Sequence, residues 1–122
     1  MNETPDYIEM YEKFMDSFKR GEVKGDEVGE LIARMGSHYA RYNIRLKNAL
    51  RAFTLVKRDV ANTVDEQTGK SITSTKAEVI AAATTESAQY EEARAHVQNI
   101  EQYLNALKAL QRGVINEYAH SV

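Results

Sequence analysis

Cysteine is missing from this chain, and proline occurs once, at Pro5. The first absence rules out a disulfide framework and any thiolate metal site. It fits a reducing compartment, so the cytoplasm is the expected location. One proline and six glycines leave little punctuation for strands and hairpins. Almost everything therefore reads as helix. No apolar run reaches the roughly 18 to 20 residues that cross a bilayer, so no membrane role is expected. The N-terminus is acidic and amphipathic, without the basic region and apolar core of a signal peptide. Asn2-Glu3-Thr4 matches a glycosylation acceptor, but without a secretory signal the match is accidental. At 122 residues, one helical domain is expected over 1–122.

The last absence is of one sign of charge. The formal net charge is -2, yet no acidic residue stands between Glu30 and Asp59. Residues 1–30 hold nine acids and four bases, residues 31–58 hold seven bases, and residues 59–122 hold nine acids and five bases. The seven are Arg34, Arg41, Arg45, Lys47, Arg51, Lys57 and Arg58. Segregation of this kind governs partner choice more than the total does.

Across the same stretch the apolar residues fall on two interleaved seven-residue series. Ile32, Tyr39, Leu46, Phe53 and Val60 make one, and Val28, Met35, Tyr42, Ala49 and Val56 the other. Alternating steps of four and three predict a long helix over 26–66, roughly 60 Å in length, that lies against other helices. Gly29 and Gly36 each weaken it by about 1 kcal/mol relative to alanine, but the seam keeps its phase across Gly36, so one helix is expected.

Ahead of it, Thr4-Pro5-Asp6 reads as a helix start, with Thr4 as cap and Pro5 at the first helical position. The short helix over 4–20 gathers Tyr7, Ile8, Tyr11, Phe14, Met15 and Phe18 on one face and stops at Gly21. That face must pack on the long helices or on another subunit. After Val64 the periodicity ends in a polar link, Asp65 to Ser71. Thr73 or Thr75 then caps a final helix over 75–118, whose seam is Tyr90, Ala93, Val97, Ile100, Leu104, Leu107, Val114 and Tyr118, with Gln111 as a polar interruption. The small run Ala81-Ala82-Ala83-Thr84-Thr85 either allows close helix approach or marks a loosely held end.

Two long helices joined by a short link fold back antiparallel. The expected fold is an all-α long helical hairpin with a short N-terminal helix. Such a hairpin has a narrow core, so it is expected to form homo-oligomers through its coiled-coil-like seams.

Chemistry is hard to place on this frame. Gly69-Lys70-Ser71 resembles the end of a phosphate-binding loop, but that loop needs glycine where Val64 stands and a strand where a helix is predicted. Glu92 and His96, four apart on one helical face, supply two ligands and no third. Glu117 and His120 have the spacing of bundle metal sites, yet His120 lies about 36 Å along the helix from His96. No cofactor, metal site or enzyme is expected. The basic stretch is the one feature above background. Arg34, His38, Arg41 and Arg45 form a stripe beside the seam, and Lys47, Arg51 and Arg58 another nearly opposite it. These cations either meet a phosphate backbone by counterion release or pair with acids of the other helices, where each pair contributes about 0 to 1 kcal/mol.

In Leu55-Val56-Lys57-Arg58-Asp59, then Gly69-Lys70-Ser71 with Ala77-Glu78, then Tyr90 through Leu110, the chain resembles small helical phage recombination mediators of the UvsY type. The likeness covers roughly Asn48 to Tyr118. It implies a non-enzymatic oligomer in the host cytoplasm that binds single-stranded DNA and helps load a recombinase onto strands covered by single-strand-binding protein. It also implies that Lys57 and Arg58, with Lys70 nearby, contact DNA. The competing expectation is a helical interaction protein, such as a phage assembly chaperone or anti-defence binder, with no nucleic-acid role.

Overall fold

A computed structural model describes the backbone of residues 4–120 and the side-chain surroundings of residues 4–113. Asn2 and Glu3 lie outside the described residues, and the side chains of Val114, Glu117, Tyr118 and His120 lie outside the described surroundings. The order is α1 (Asp6–Lys19), α2 (Gly25–Ala61), α3 (Ser74–Ala82) and α4 (Thr85–His120). The chain is all-helical, and its two long helices pack together. Among the described residues the only extended pairing is an isolated antiparallel bridge, Val64 with Ser71.

Local chemistry sets each boundary. The start of α1 departs from the expected cap. Pro5, extended at ψ 144°, is the cap itself, and no side chain caps this helix. The Pro5 carbonyl instead accepts from the N–H groups of Ile8 and Glu9, at 3.0 and 3.3 Å. At the other end Gly21 takes φ 72°. Its N–H donates to the Phe18 carbonyl and that of Glu22 to the Ser17 carbonyl, both at 3.0 Å, the paired closure that a left-handed glycine allows.

The long helix α2 is unbroken at Gly36 but stops at Ala61, five residues before the expected end. Beyond it the chain forms an organised turn. Asp65 Oδ1 accepts from the Gln67 N–H at 2.9 Å, and Asp65 Oδ2 pairs with Lys76 Nζ at 3.1 Å. Gly69, at φ 68°, lets its N–H return to the Asp65 carbonyl at 2.8 Å. Of the two candidate caps for the next helix, Thr73 is used, its hydroxyl accepting from the Lys76 N–H at 3.3 Å.

The expected helix over 75–118 is in fact two. Thr84 divides them because its hydroxyl serves both sides. It donates to the Ala81 carbonyl at 2.7 Å and accepts from the Ser87 N–H at 3.2 Å. A side chain bonded to its own neighbourhood in this way competes with continuous helix.

Contacts divide the chain into two compact units: residues 1–41 with 98–122, and residues 42–97. In the first, Tyr7, Val28, Met35, Ile100 and Leu107 are fully buried. The aromatic face of α1 is partly covered within the chain, since Tyr11 stacks on Tyr103 at 3.9 Å and 9°, and Tyr7 sits 6.0 Å from the same ring and 6.2 Å from His38. Burial, and then the nearby Glu12 carboxylate, raises the Tyr103 hydroxyl above its usual range. Gly29 of α2 lies beside Gln111, the polar interruption in the α4 seam. A Cβ at Gly29 would stand 3.4 Å from Gln111 Nε2. Tyr39 donates to Glu101 Oε1 at 2.8 Å. The Gly29–Gln111 and Tyr39–Glu101 pairs show α2 and α4 running antiparallel.

The second unit is built differently. Its buried side chains are Tyr42, Ala81, Ser87, Ala93 and Val97, mostly small. Tyr42–His96 and Phe53–Tyr90, at 5.0 and 5.7 Å between ring centroids, give the same antiparallel sense. All six of the large apolar side chains most exposed among the described residues belong here: Ile44, Leu50, Leu55, Val64, Val79 and Ile80.

Candidate nucleic-acid interface

Six of the eight candidate contact residues fall in the second unit: Arg45, Lys47, Arg51, Lys57, Arg58 and Lys70. All six are exposed. This segment of α2 carries five bases against one acid, Asp59, while the other acids of the unit stand on the link, α3 and α4.

Helical geometry sorts the five on α2 into two groups. Tyr42, Leu46, Ala49, Phe53, Val56 and Val60 mark the inner side, each of them buried or half-buried. At about 100° per residue, Lys47, Arg51 and Arg58 project from the opposite side. They span about 16 Å along the axis. Arg45 and Lys57 flank the seam, and each lies over an aromatic ring. The Arg45 guanidinium carbon is 4.7 Å from the Tyr42 centroid, and Lys57 Nζ is 4.7 Å from that of Phe53. A cation over a ring face gains about 0.5–1 kcal/mol when exposed, which narrows the positions it samples.

Carboxylates do not neutralise this set. Among the described residues the only ion pair involving any of the six joins Arg58 to its own neighbour Asp59, at 3.9 Å. Both of those side chains are about two-thirds exposed or more, so solvent screens the attraction. Lys70 sits on the turn, where its carbonyl accepts from the Asp65 N–H at 2.8 Å and its own N–H donates to Thr68 Oγ1 at 3.3 Å. The nearby Asp65 carboxyl is held below its usual range, first by the Gln67 N–H and then by Lys76.

Arg34 and Arg41 belong to the first unit, also exposed. Arg34 shares a cleft of about 350 Å³ with Met10, Phe14, Leu31, Glu27 and Glu30. The two glutamates offset its field, so it is the least suited of the eight to an anionic partner. His38 is half-buried against Tyr7, a packed histidine.

The sequence did not single out a small cleft in the second unit, of about 240 Å³, between the stripe Tyr42, Arg45, Ala49 of α2 and the stripe Gln89, Glu92, Ala93, His96 of α4. The signal was there in part: alanine stands at a seam position on both helices, which leaves space where a larger residue would fill it. His96 Nε2 lies 3.8 Å from Glu92 Oε1. Among the described residues no three metal-ligating side chains converge, and no helix is long and apolar enough to cross a membrane. No protein-family model matches this chain, and neither a curated protein nor a solved structure matches it at a significant level.

Proposed function

We propose that this chain is a non-enzymatic accessory protein that binds single-stranded DNA through the second-unit segment of α2. The observation that carries the reading is the open state of the cations there: five exposed bases on that segment and Lys70 on the turn after it, with one weak neighbour pair among them. Bases placed there for scaffolding would be expected to meet carboxylates across the helices. Instead, Lys47, Arg51 and Arg58 line the face turned away from the seam, and Arg45 and Lys57 rest on rings. Such a face neutralises phosphate without reading sequence, and its affinity falls steeply with salt.

A single chain offers few contacts, so useful affinity comes from several copies acting together. The resemblance of residues 48–118 to UvsY-type mediators supports that picture. It adds a recombinase, or the single-strand-binding protein that covers the strand, as protein partners. All six of the most exposed large apolar side chains fall in the second unit, and this uneven share of exposed apolar surface supports a protein contact on the same unit.

The same six side chains favour one competing reading, a helical interaction module that grips a protein and never meets nucleic acid. Fluorescence anisotropy with a labelled single-stranded oligonucleotide, at low and at moderate salt, separates the two. Binding that weakens steeply with salt is expected. No binding at low salt would leave only the interaction module. Sedimentation at micromolar protein should give a mass above that of one chain, and a monomer would remove the avidity argument.

A further inference from the structure

We infer that the cleft between Tyr42, Arg45 and Ala49 on α2 and Gln89, Glu92 and His96 on α4 takes a single nucleobase, with guanine preferred. The proposal rests on the single-strand reading above and names where that strand's bases go.

Size comes first. At about 240 Å³ the cleft is smaller than the roughly 300–1,000 Å³ of sites for drug-sized ligands. It suits one flat ring system, with the sugar and phosphate left outside. Its shape follows from Ala49 and Ala93, which both line it where the seams would otherwise hold larger side chains. The Arg45 guanidinium covers the buried Tyr42 ring, and Tyr42 packs on His96 with centroids 5.0 Å apart at 45°. That leaves the half-buried His96 ring as the aromatic plane lining the cleft, a surface on which an unstacked base rests.

Charge then decides between a base and a free anion. The Glu92 carboxylate lines the same cleft as Arg45, and a phosphate seated there would be repelled by it. A base edge that offers both donors and acceptors meets no such conflict. Glu92 accepts only, Arg45 donates only, and the Gln89 amide does both. Guanine places two N–H donors side by side, which a carboxylate takes together, and carries its O6 and N7 acceptors for a guanidinium. Thymine offers a single N–H and cannot satisfy Glu92 in the same way.

The test compares a labelled oligothymidylate with the same strand carrying one central guanine, using the full-length protein. The guanine strand should bind at least about fivefold tighter, the low end of discrimination by a two-point base contact. In Glu92→Gln the ratio should fall to near one, with helical content unchanged, because that side chain is 75% exposed. Equal affinity of the two strands for the native protein, or a preference that survives Glu92→Gln, overturns the assignment. A second measurement makes the outcome independent of strand binding: guanosine monophosphate, and not thymidine monophosphate, should shift the ring resonances of Tyr42 and His96. If neither strand binds but guanosine monophosphate still shifts those rings, the single-strand reading fails and the cleft stands as a free-nucleotide site. If the strands bind and guanosine monophosphate moves nothing, the cleft proposal alone fails.

Discussion

Replacing Lys47, Arg51 and Arg58 together by glutamine removes the three cations that face away from the seam and leaves Arg45, Lys57 and Lys70. Each phosphate neutralised on a single strand contributes about 0.7 to the slope of log affinity against log salt. On oligothymidylate, where Arg45 has no guanine to engage and is free to meet phosphate outside the cleft, six contacts per chain thus give a slope near -4, and three give about -2. Between 50 and 200 mM salt, the native protein should lose affinity about 300-fold and the variant about 20-fold. Halving of the slope is expected whatever the number of subunits, because each copy loses the same share. The fold should hold, since exposed substitutions of this kind change stability by about 0.5 kcal/mol or less, and circular dichroism provides the control. Anisotropy across a salt series is the assay. A variant whose slope equals that of the native protein would show that the strand, if bound at all, lies elsewhere, and would refute the use made of this face.

The two units should respond differently to truncation. Ile100→Ala, at a fully buried position, should destabilise the protein by about 2–5 kcal/mol, whereas Ile44→Ala, at a side chain 63% exposed, should change it by about 0.5 kcal/mol or less. Urea titrations of the two variants, read by the shift in midpoint, check the contrast. Acid should loosen the turn after α2. The Asp65 carboxyl is lowered in the folded chain, so its contribution is present above the unfolded value of about 3.9 and disappears as pH falls through the lower folded value. Amide protection in residues 65–76, taken relative to the intrinsic exchange rate at each pH, should therefore fall below about pH 4, and Asp65→Asn should show lower protection at neutral pH while losing that acid response.

Much of the architecture was legible because it rests on periodicity. The seam through Val28, Met35 and Tyr42 is buried, as are Ala93, Val97, Ile100 and Leu107 on the facing helix. Periodicity reports which face is apolar, not where a helix ends, and the misplaced boundaries are set by hydrogen bonds of single side chains. Thr84 is the clearest case. Its neighbours are small and helix-compatible, so nothing in the pattern of apolar residues marks the break, yet one hydroxyl with a partner on each side is enough to make it. At Pro5 the start is set by the backbone, since its carbonyl accepts the first helical N–H groups and no side chain supplies the cap expected of Thr4. The basic stretch was visible as composition, but only the folded chain separates Arg34, set beside Glu27 and Glu30, from the six cations of the second unit. The cleft escaped notice because its defining feature is a pair of alanines, which in a sequence look like ordinary seam residues.

The uneven burial of the two units has a kinetic consequence for α2. Val28 and Met35 are sealed from solvent, while beyond Tyr42 the same helix holds its inner side only with half-buried residues. Its amides should show graded protection, slow near Met35 and fast near Lys57, because local opening is easiest where the fewest apolar contacts must be broken. A bound polyanion would clamp the fast-exchanging end, so the same gradient would double as a footprint, flattening wherever the ligand sits.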